Sequence, residues 1–150
     1  MKALLAAVLI LSAWILFRPG HEFQLSRASP EAAKLIRLER TGMPEIRIER
    51  KGNEWEIVSP VRAKAGSNAV GNLLSILHAK SDTRLEAKDL SRFGLERPVI
   101  RLFIDTAEYD FGMVNPVTGQ QYVKEGESVF MVSPKYALLP SLSELEAGHA

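Results

Sequence analysis

The sequence predicts an α+β protein, in which an N-terminal transmembrane helix precedes one domain of antiparallel β meanders with a packed helix and a short C-terminal helix. Two patterns carry the prediction for the domain. Several short segments alternate apolar and charged residues between clusters of turn-forming residues, which is typical of half-buried antiparallel strands. One longer segment repeats apolar residues with helical spacing, and its position between two groups of strands indicates an α+β fold.

The N-terminal helix is predicted from an apolar run over residues 3–17, interrupted only by Ser12. As a helix the run would measure about 22 Å, less than the roughly 30 Å of a bilayer core, so its length also suits a cleaved signal peptide or a buried core helix. The bulky residues at its end lack the small side chains of a cleavage site, and Lys2 and Arg18 extend its reach into the interfaces. We therefore expect residues 1–20 to form an uncleaved signal anchor.

Two groups of side chains suit this anchor to a membrane. Aromatic residues near its outer end favour the interface, and small residues permit close packing against another transmembrane helix. The aromatic residues are Trp14 and Phe17, and the small ones are Ala3, Ala6, Ala7 and Ser12. An N-terminal anchor with one long domain behind it usually exports that domain. We therefore expect a single-pass protein with an exported domain.

Beyond the anchor, residues 21–33 are predicted to be a linker, residues 34–142 the domain and residues 143–150 a tail. Alternating residues predict a first meander with strands over Lys34–Arg40, Glu45–Arg50 and Glu54–Val58. A helix then starts with Ser67 or Asn68 as its cap. Its apolar residues form one stripe that would pack on the sheet, namely Val70, Leu73, Leu74 and Leu77.

The second half of the domain begins with a short strand over Thr83–Ala87 and a helical turn over Asp89–Phe93, which Gly94 would end in a left-handed conformation. A second meander follows, with strands over Val99–Ile104, Tyr109–Val114, Gln121–Lys124 and Ser128–Val132. A short helix from Pro134 and a capping box at Ser141 would complete the domain.

Three blocks of residues together resemble the DUF4340 domain, a family of uncharacterised bacterial envelope proteins. The first block contains Trp55–Ile57, Ser59-Pro60, Lys64-Ala65, Val70 and Asn72–Leu74, and the second, most distinctive block is Asp89–Pro98. The third contains Gly112, Asn115-Pro116, Gly119, Tyr122 and Val129–Val132. The resemblance extends from Ile36 to Leu142.

The resemblance implies a protein of the bacterial inner membrane whose domain lies in the periplasm. Larger members of the family carry the domain more than once and are often associated with ABC-transporter systems. This chain has a single copy of the domain. The association of the larger members with transporters is therefore weaker grounds for a transporter role of this chain. The family supplies no catalytic residues to carry over.

Composition and motifs narrow the class of function. The 19 basic and 18 acidic residues are interspersed, so no basic stripe indicates a nucleic-acid partner. His21, His78 and His149 show no metal-ligand spacing, and no nucleophile motif is readable, so we expect no catalytic residue, no metal and no cofactor.

Four weaker candidates have simpler structural interpretations. His78 as a general base is outweighed by a half-exposed histidine at a helix end. Residues 66–68 would offer backbone N–H groups to an anion, but an N-cap after a loop is the simpler interpretation. The acidic residues of one hairpin, Asp105, Glu108 and Asp110, would attract a cation but fit no calcium-loop pattern. Basic residues near loops would meet an acidic partner, but dispersed surface charge is the simpler interpretation of Arg62, Lys64, Arg92 and Arg97.

The loop from Asn115 to Tyr122 is the most specific candidate for contact with a partner. Its residues of interest are Asn115, Pro116, Gly119 and Tyr122. Asn, Pro and Gly suit turn geometry without any ligand, so a hairpin that positions two strands is the simpler explanation of the same residues.

These observations favour a non-enzymatic, membrane-anchored envelope protein whose periplasmic domain docks on a partner membrane complex as an accessory or scaffold subunit. Its contacts would be the bilayer, through the N-terminal helix, and a membrane protein, through loops or through open edges of two hairpin sheets. The alternative is a periplasmic small-ligand-binding module, auxiliary to an ABC transporter, with its pocket between the helix and the second meander. An enzyme is the third hypothesis.

Overall fold

The computed structural model describes residues 20–147. The predicted anchor residues Ala3, Ala6, Ala7, Ser12, Trp14 and Phe17 lie outside the described residues. Between residues 20 and 147, no helix has the length and apolar character needed to cross a membrane.

Most strands belong to one antiparallel sheet. Those of the first half of the chain are β2 (Leu35–Arg40), β3 (Ile46–Lys51), β4 (Glu54–Ser59) and β5 (Ala63–Lys64). Those of the second half are β7 (Arg84–Glu86), β8 (Ile100–Ile104), β9 (Ala107–Val114), β10 (Gln121–Glu125) and β11 (Ser128–Val132). Their order in the nine-stranded sheet is β5-β4-β3-β2-β8-β9-β10-β11-β7. A separate two-stranded sheet pairs β1 (Phe23–Gln24) with β6 (Lys80–Ser81).

The two predicted meanders are present, and they join into a single sheet through β2 and β8, where Leu38 pairs with Leu102. This pairing differs from the expectation of two separate sheets with open edges, because the inner edge of each meander is occupied by the other. The α+β class and the antiparallel pairing are confirmed. Pairing across a long sequence separation cannot be read from local periodicity, which explains the difference.

One face of the sheet, called the inner face, is covered by α1 (Ser67–Leu74) and the 3-10 helix Ser75–His78 that follows it. The predicted apolar stripe of this segment is buried in the main core, as expected from its helical spacing. Gly66, rather than Ser67 or Asn68, is the N-cap residue, and no side chain caps this helix. Opposite it, the strands contribute buried residues such as Ile36, Ile57 and Val123.

Three further 3-10 helices connect the strands, at Pro30–Ala32, Leu90–Phe93 and Pro134–Ala137. The second is followed by Gly94 in the predicted left-handed conformation. The last helix, α2 (Leu142–Leu145), begins with the predicted capping box, in which Ser141 and Glu144 exchange side-chain-to-backbone hydrogen bonds.

The domain extends beyond the predicted bounds on both sides. In the expected linker 21–33, β1 pairs with β6 and Leu25 is buried in the main core. In the expected tail, Leu145 is fully buried and its carbonyl accepts a hydrogen bond from Gly66 N–H at 2.7 Å. Both segments are short and mostly polar, so their burial depends on partners that are distant in sequence.

The same tail covers one edge of the large sheet, because Ala147 N–H donates to the carbonyl of Lys64 on β5. The opposite edge is β7, whose three residues are all exposed. Its charged residues Arg84 and Glu86 and its short length discourage addition of another strand. The structure therefore gives little support to docking by strand addition.

Candidate functional site

The second resemblance block folds back onto the outer face of the sheet, the face opposite α1. Phe93 and Leu95 are buried there against Val129 of β11, and Leu90 and Tyr122 pack at the rim. We call this small core the outer cluster. It explains why every residue of β11 is buried, since both faces of that strand are covered.

Two glycines permit this close packing. A Cβ atom on Gly112 would overlap the carbonyl oxygen of Phe93 and would lie 2.9 Å from Leu95 Cγ. A Cβ atom on Gly94 would lie 2.9 Å from the backbone nitrogen of Met113, and Gly94 also has a φ of +68°. The absence of a side chain at both positions lets the backbone of residues 93–95 approach β9 directly.

The outer cluster continues into the β9–β10 hairpin through Tyr122. Its ring centroid lies 4.9 Å from that of Phe93, with the two rings tilted by 55°. The Tyr122 hydroxyl accepts a hydrogen bond of 2.7 Å from the side-chain amide of Asn115. One chain of contacts thus connects the cluster to the end of the hairpin.

Asn115 also organises the hairpin end itself. Its side-chain oxygen accepts hydrogen bonds from the N–H groups of Val117 at 2.8 Å and Thr118 at 3.2 Å, which is the pattern of an Asx turn. Its carbonyl accepts from Gly119 N–H, and its own N–H donates to the carbonyl of Gln120. Gly119 has a φ of +72°, a conformation that favours glycine. The turn is therefore held by its own hydrogen bonds.

This rigid end presents apolar side chains to solvent. Val117 is 90 % exposed, and Met113 and Val114 are nearly half exposed on the adjoining part of β9. We call residues 113–120 the hairpin tip. Polar residues are the rule at hairpin ends, so these exposed apolar side chains are candidates for contact with a partner.

Of the predicted partner-contact residues, Asn115 and Tyr122 are partly buried and bonded to each other, so their role in this structure is to position the tip. Pro116 and Gly119 are exposed in the turn. Met113, Val114 and Val117 were not among the contact residues predicted from the sequence. An apolar Val between turn-forming residues was the available signal for the last of these.

The acidic residues of the β8–β9 hairpin are separated by the structure. Asp105 has a φ of +52°, and its side chain accepts hydrogen bonds of 2.9 Å from the N–H groups of Lys34 and Leu35, so it fixes the start of β2. Glu108 is exposed. In the part of the chain that the structure covers, no group of three potential metal-ligating side chains is present.

Asp110 differs from the expected solvated hairpin charge, because it is only 7 % exposed. It lies in a row across three strands, opposite Arg101 on β8 and Lys124 on β10. Its Oδ1 atom makes no hydrogen bond and is 3.9 Å from Arg101 Nε. Burial, followed by the neighbouring Glu108, raises the pKa of Asp110 from 3.8 to about 6.

The start of α1 borders a surface cavity of about 470 Å³. Its lining includes Glu54, Glu144 and Glu146 as well as Lys64, and Lys64 forms an ion pair of 2.6 Å with Glu54. Three carboxylates around one lysine do not suit an anion, so the geometry favours the interpretation of residues 66–68 as a helix start.

The other candidates are dispersed. Arg62 pairs with Glu56 at 3.0 Å on the first half of the sheet, whereas Arg92 lies over the Phe93 ring in the outer cluster. His21 and His78 are exposed, and His149 lies outside the described residues. The space predicted for a ligand, between α1 and the second meander, is occupied by core side chains, so no observation here favours the ligand-binding alternative.

Comparison with known protein families gives a match. A family model described as a domain of unknown function, DUF4340, matches residues 55–145, which include the outer cluster, the hairpin tip and the buried tail. No curated protein and no solved structure matches the chain.

Proposed function

This chain belongs to the DUF4340 family, a domain of unknown function, and from that premise we propose that it is a non-enzymatic accessory protein that docks on a partner membrane complex. The N-terminal segment anchors it in the bacterial inner membrane, and the domain lies in the periplasm. The partner is bound at the hairpin tip. One observation carries the proposal, namely the rigid presentation of exposed apolar side chains at residues 113–120.

Rigidity matters because binding must offset the entropy lost when a surface loop is ordered. The tip is already held by the Asn115 side chain and, through Tyr122, by the outer cluster. A partner would therefore gain the burial of Val117 and its neighbours without a large ordering cost. Full burial of a single valine side chain contributes about 1.5 kcal/mol or more.

The rest of the outer face differs from the hairpin tip, because its charged side chains are already paired with one another. Arg37 on β2 pairs with Glu45, just before β3, at 3.1 Å and with Glu39 at 3.6 Å, and its guanidinium lies 4.1 Å from the centroid of the Phe103 ring on β8. Charged side chains that are already paired with neighbours cost free energy to desolvate. They therefore contribute little to the free energy of binding a partner. The hairpin tip has no such network on its apolar side chains.

The proposed anchor would hold the domain close to the bilayer. Between Phe17, at the end of the apolar run, and Phe23, where β1 begins, the chain extends at most about 20 Å. A partner that shares the membrane would then meet the domain at a high local concentration, which strengthens a weak contact without further interactions.

Co-purification of the full-length chain from membranes, with crosslinking in mild detergent, tests the proposal. We expect a defined membrane protein to be retained by the native chain and to be reduced at least tenfold by Val117→Glu. Leu138→Glu is the matched control, because Leu138 is also a highly exposed apolar residue but lies outside the tip. It should retain the partner.

Two results would contradict the proposal. The first is that the native chain retains no partner after crosslinking. The second is that Val117→Glu and Leu138→Glu reduce the amount of retained partner equally. Circular dichroism of both variants should match that of the native protein, since both positions are exposed.

A further inference from the structure

The second resemblance block, residues 89–98, connects β7 to β8 across the outer face, and we call it the strap. The residues that flank it are fixed by backbone hydrogen bonds to turns of the sheet. Ala87 N–H donates to the carbonyl of Glu127 at 3.0 Å, and the carbonyl of Val99 accepts from Thr41 N–H at 3.0 Å. The strap is therefore clamped at both ends.

Between these ends the strap is attached in a different way. Among the described residues 20–147, its hydrogen bonds stay within the strap, as from Leu95 N–H to the carbonyl of Leu90 at 2.9 Å. Its attachment to the sheet comes from Phe93 and Leu95, which are buried against Val129. The strap can therefore lift from the sheet with the loss of apolar contacts alone, and low local stability of this kind permits opening without unfolding of the whole domain.

A buried carboxylate lies beside the place where the strap meets the sheet. The side chains of Tyr109 and Phe111 belong to the main core, so Asp110 between them points to the outer face. Gly112, two residues further along β9, is where the backbone of Phe93 approaches the sheet most closely. Asp110 is only 7 % exposed, and its Oδ1 atom makes no hydrogen bond. In the ionised form this oxygen lacks the solvation that water would supply.

The charged groups around Asp110 come from three strands and the strap. Arg101 on β8 and Lys124 on β10 are its cross-strand neighbours, and Glu108 lies on the same face of β9. Arg101 Nε is 3.9 Å from Asp110 Oδ1. The strap contributes only exposed charges, namely Asp89, Arg92, Glu96 and Arg97. Burial and Glu108 outweigh the two basic neighbours and raise the pKa of Asp110 to about 6, so the carboxyl is ionised at neutral pH although it is buried.

We propose that the strap is a lid that opens while the sheet stays folded, and that ionised Asp110 favours the open state because opening admits water to its carboxylate. The open state removes the ring of Phe93 from Tyr122, which positions Asn115 in the hairpin tip. The strap thereby regulates how firmly the tip is held. This consequence for docking rests on the proposed function, whereas the opening itself does not.

Thiol labelling tests the opening, because the chain contains no cysteine and an introduced thiol is unique. Full-length Val129→Cys places a thiol beneath the strap. Val123→Cys is the matched control, since Val123 is equally buried but lies in the main core. Each variant is labelled at pH 7.5 with a dipyridyl disulfide, and protection is the labelling rate of free cysteine divided by that of the protein thiol.

We expect the thiol at position 129 to be at least tenfold less protected than the thiol at position 123. Equal protection of the two thiols would overturn the proposal, since the strap would then open only when the whole domain unfolds.

The role of Asp110 is tested by adding Asp110→Asn to Val129→Cys. Removal of the charge should raise protection at least fivefold at pH 7.5, and should change it less than twofold at pH 4.5, where Asp110 is largely neutral. Asp82→Asn is the matched control, because Asp82 is exposed, and should leave protection unchanged at both pH values. Protection that Asp110→Asn leaves unchanged at pH 7.5 would overturn the role assigned to this carboxylate.

Limited trypsin digestion of the unsubstituted full-length chain gives a second measurement, which does not depend on the folding of cysteine variants. Phe93 is buried, so cleavage between Arg92 and Phe93 requires the strap to leave the sheet. The matched site is Arg101–Leu102 within β8, where an arginine also precedes a buried apolar residue. We expect cleavage after Arg92 at least tenfold faster than after Arg101 at pH 7.5.

Cleavage at both sites with the same rate would overturn the proposal, because it would report unfolding of the whole domain. The failure of partner docking is recognised separately, since Val117→Glu would then have no effect on co-purification while the labelling and cleavage patterns would be unchanged.

Discussion

The carbonyl oxygen of Phe93 occupies the position that a side chain on Gly112 would need. The two residues are 19 positions apart, on a 3-10 helix and on β9, and their contact closes the outer cluster over the second meander. The most distinctive resemblance block is therefore explained by packing. It supplies the small core that supports the hairpin tip.

Replacement of Gly112 by alanine is expected to destabilise the domain by about 1–3 kcal/mol, because the new methyl group would force the Phe93 backbone away from β9. Urea unfolding followed by tryptophan fluorescence measures the change. Gly71→Ala is the matched control, since Gly71 lies in α1 with no atom within 4 Å of the new methyl group. It should stabilise the domain by about 0.5–1 kcal/mol. Equal effects of the two variants would refute the contact.

Asn115 is expected to contribute more to the hairpin tip than the Tyr122 hydroxyl does. Tyr122→Phe removes one hydrogen bond and should cost about 0.5–1.5 kcal/mol. Asn115→Ala removes that bond together with the acceptor for two backbone N–H groups, and should also speed amide hydrogen exchange at Val117 and Thr118. If exchange at these amides were unchanged in Asn115→Ala, the side chain would not hold the turn.

The raised pKa of Asp110 predicts a specific pH dependence of the free energy of unfolding. Its pKa is about 6 in the folded protein, above the ordinary value of 3.8, so the folded state binds this proton more tightly than the unfolded chain does. The associated stability is fully present below about pH 3.8 and is lost as the pH rises through about 6. At pH 7.5 the loss is at most about 3 kcal/mol, because each tenfold difference in proton affinity between the two states corresponds to roughly 1.4 kcal/mol.

Asp110→Asn removes this titration and should be more stable than the native protein at pH 7.5 by about 1–3 kcal/mol, with little difference near pH 3.5. Urea unfolding across this pH range measures it. Glu108→Gln should give an intermediate profile, since it removes the neighbouring negative charge but leaves the burial of Asp110. Parallel pH profiles of Asp110→Asn and the native protein would contradict the argument.

Leu145 is expected to be essential for stability, although the sequence places it in the segment predicted to be a tail. Its side chain is fully buried in the main core, so Leu145→Ala should cost about 2–5 kcal/mol. Val117→Ala is the control, since that side chain is exposed and its truncation should change the free energy of unfolding by less than about 0.5 kcal/mol. A small effect at Leu145 would restore the interpretation of this segment as a tail.

Local signals in the sequence predicted most individual elements. The alternation of Ile46 and Ile48 with charged residues placed β3 correctly, and the positions of Ser141 and Glu144 predicted the capping box. Gly94 was correctly expected to end a helical turn. These predictions succeed because turn, cap and strand preferences depend on neighbours within a few residues.

Structural features that depend on contacts between residues far apart in the chain were not predicted from the sequence. The two-residue strand β1 and the buried Leu25 fall in a polar stretch whose pairing with β6 bridges more than fifty residues. At the candidate site, the sequence identified Asn115 and Tyr122 as parts of one loop, but it did not predict that their side chains are hydrogen-bonded to each other or that Asn115 holds the backbone at Val117. Exposure of an apolar residue is decided by what packs around it, and no local pattern encodes that.

The sequence by itself determined the α+β class, the order of the longer strands along the chain, the turn residues of the β9–β10 hairpin and the family. Each of these depends on side-chain type and short-range spacing. Only the tertiary structure decided that the two meanders form one sheet, that Gly112 faces the Phe93 carbonyl, that Asp110 is buried and that Val117 is exposed. Those outcomes follow from contacts between residues far apart in the chain, where packing and desolvation outweigh local preference.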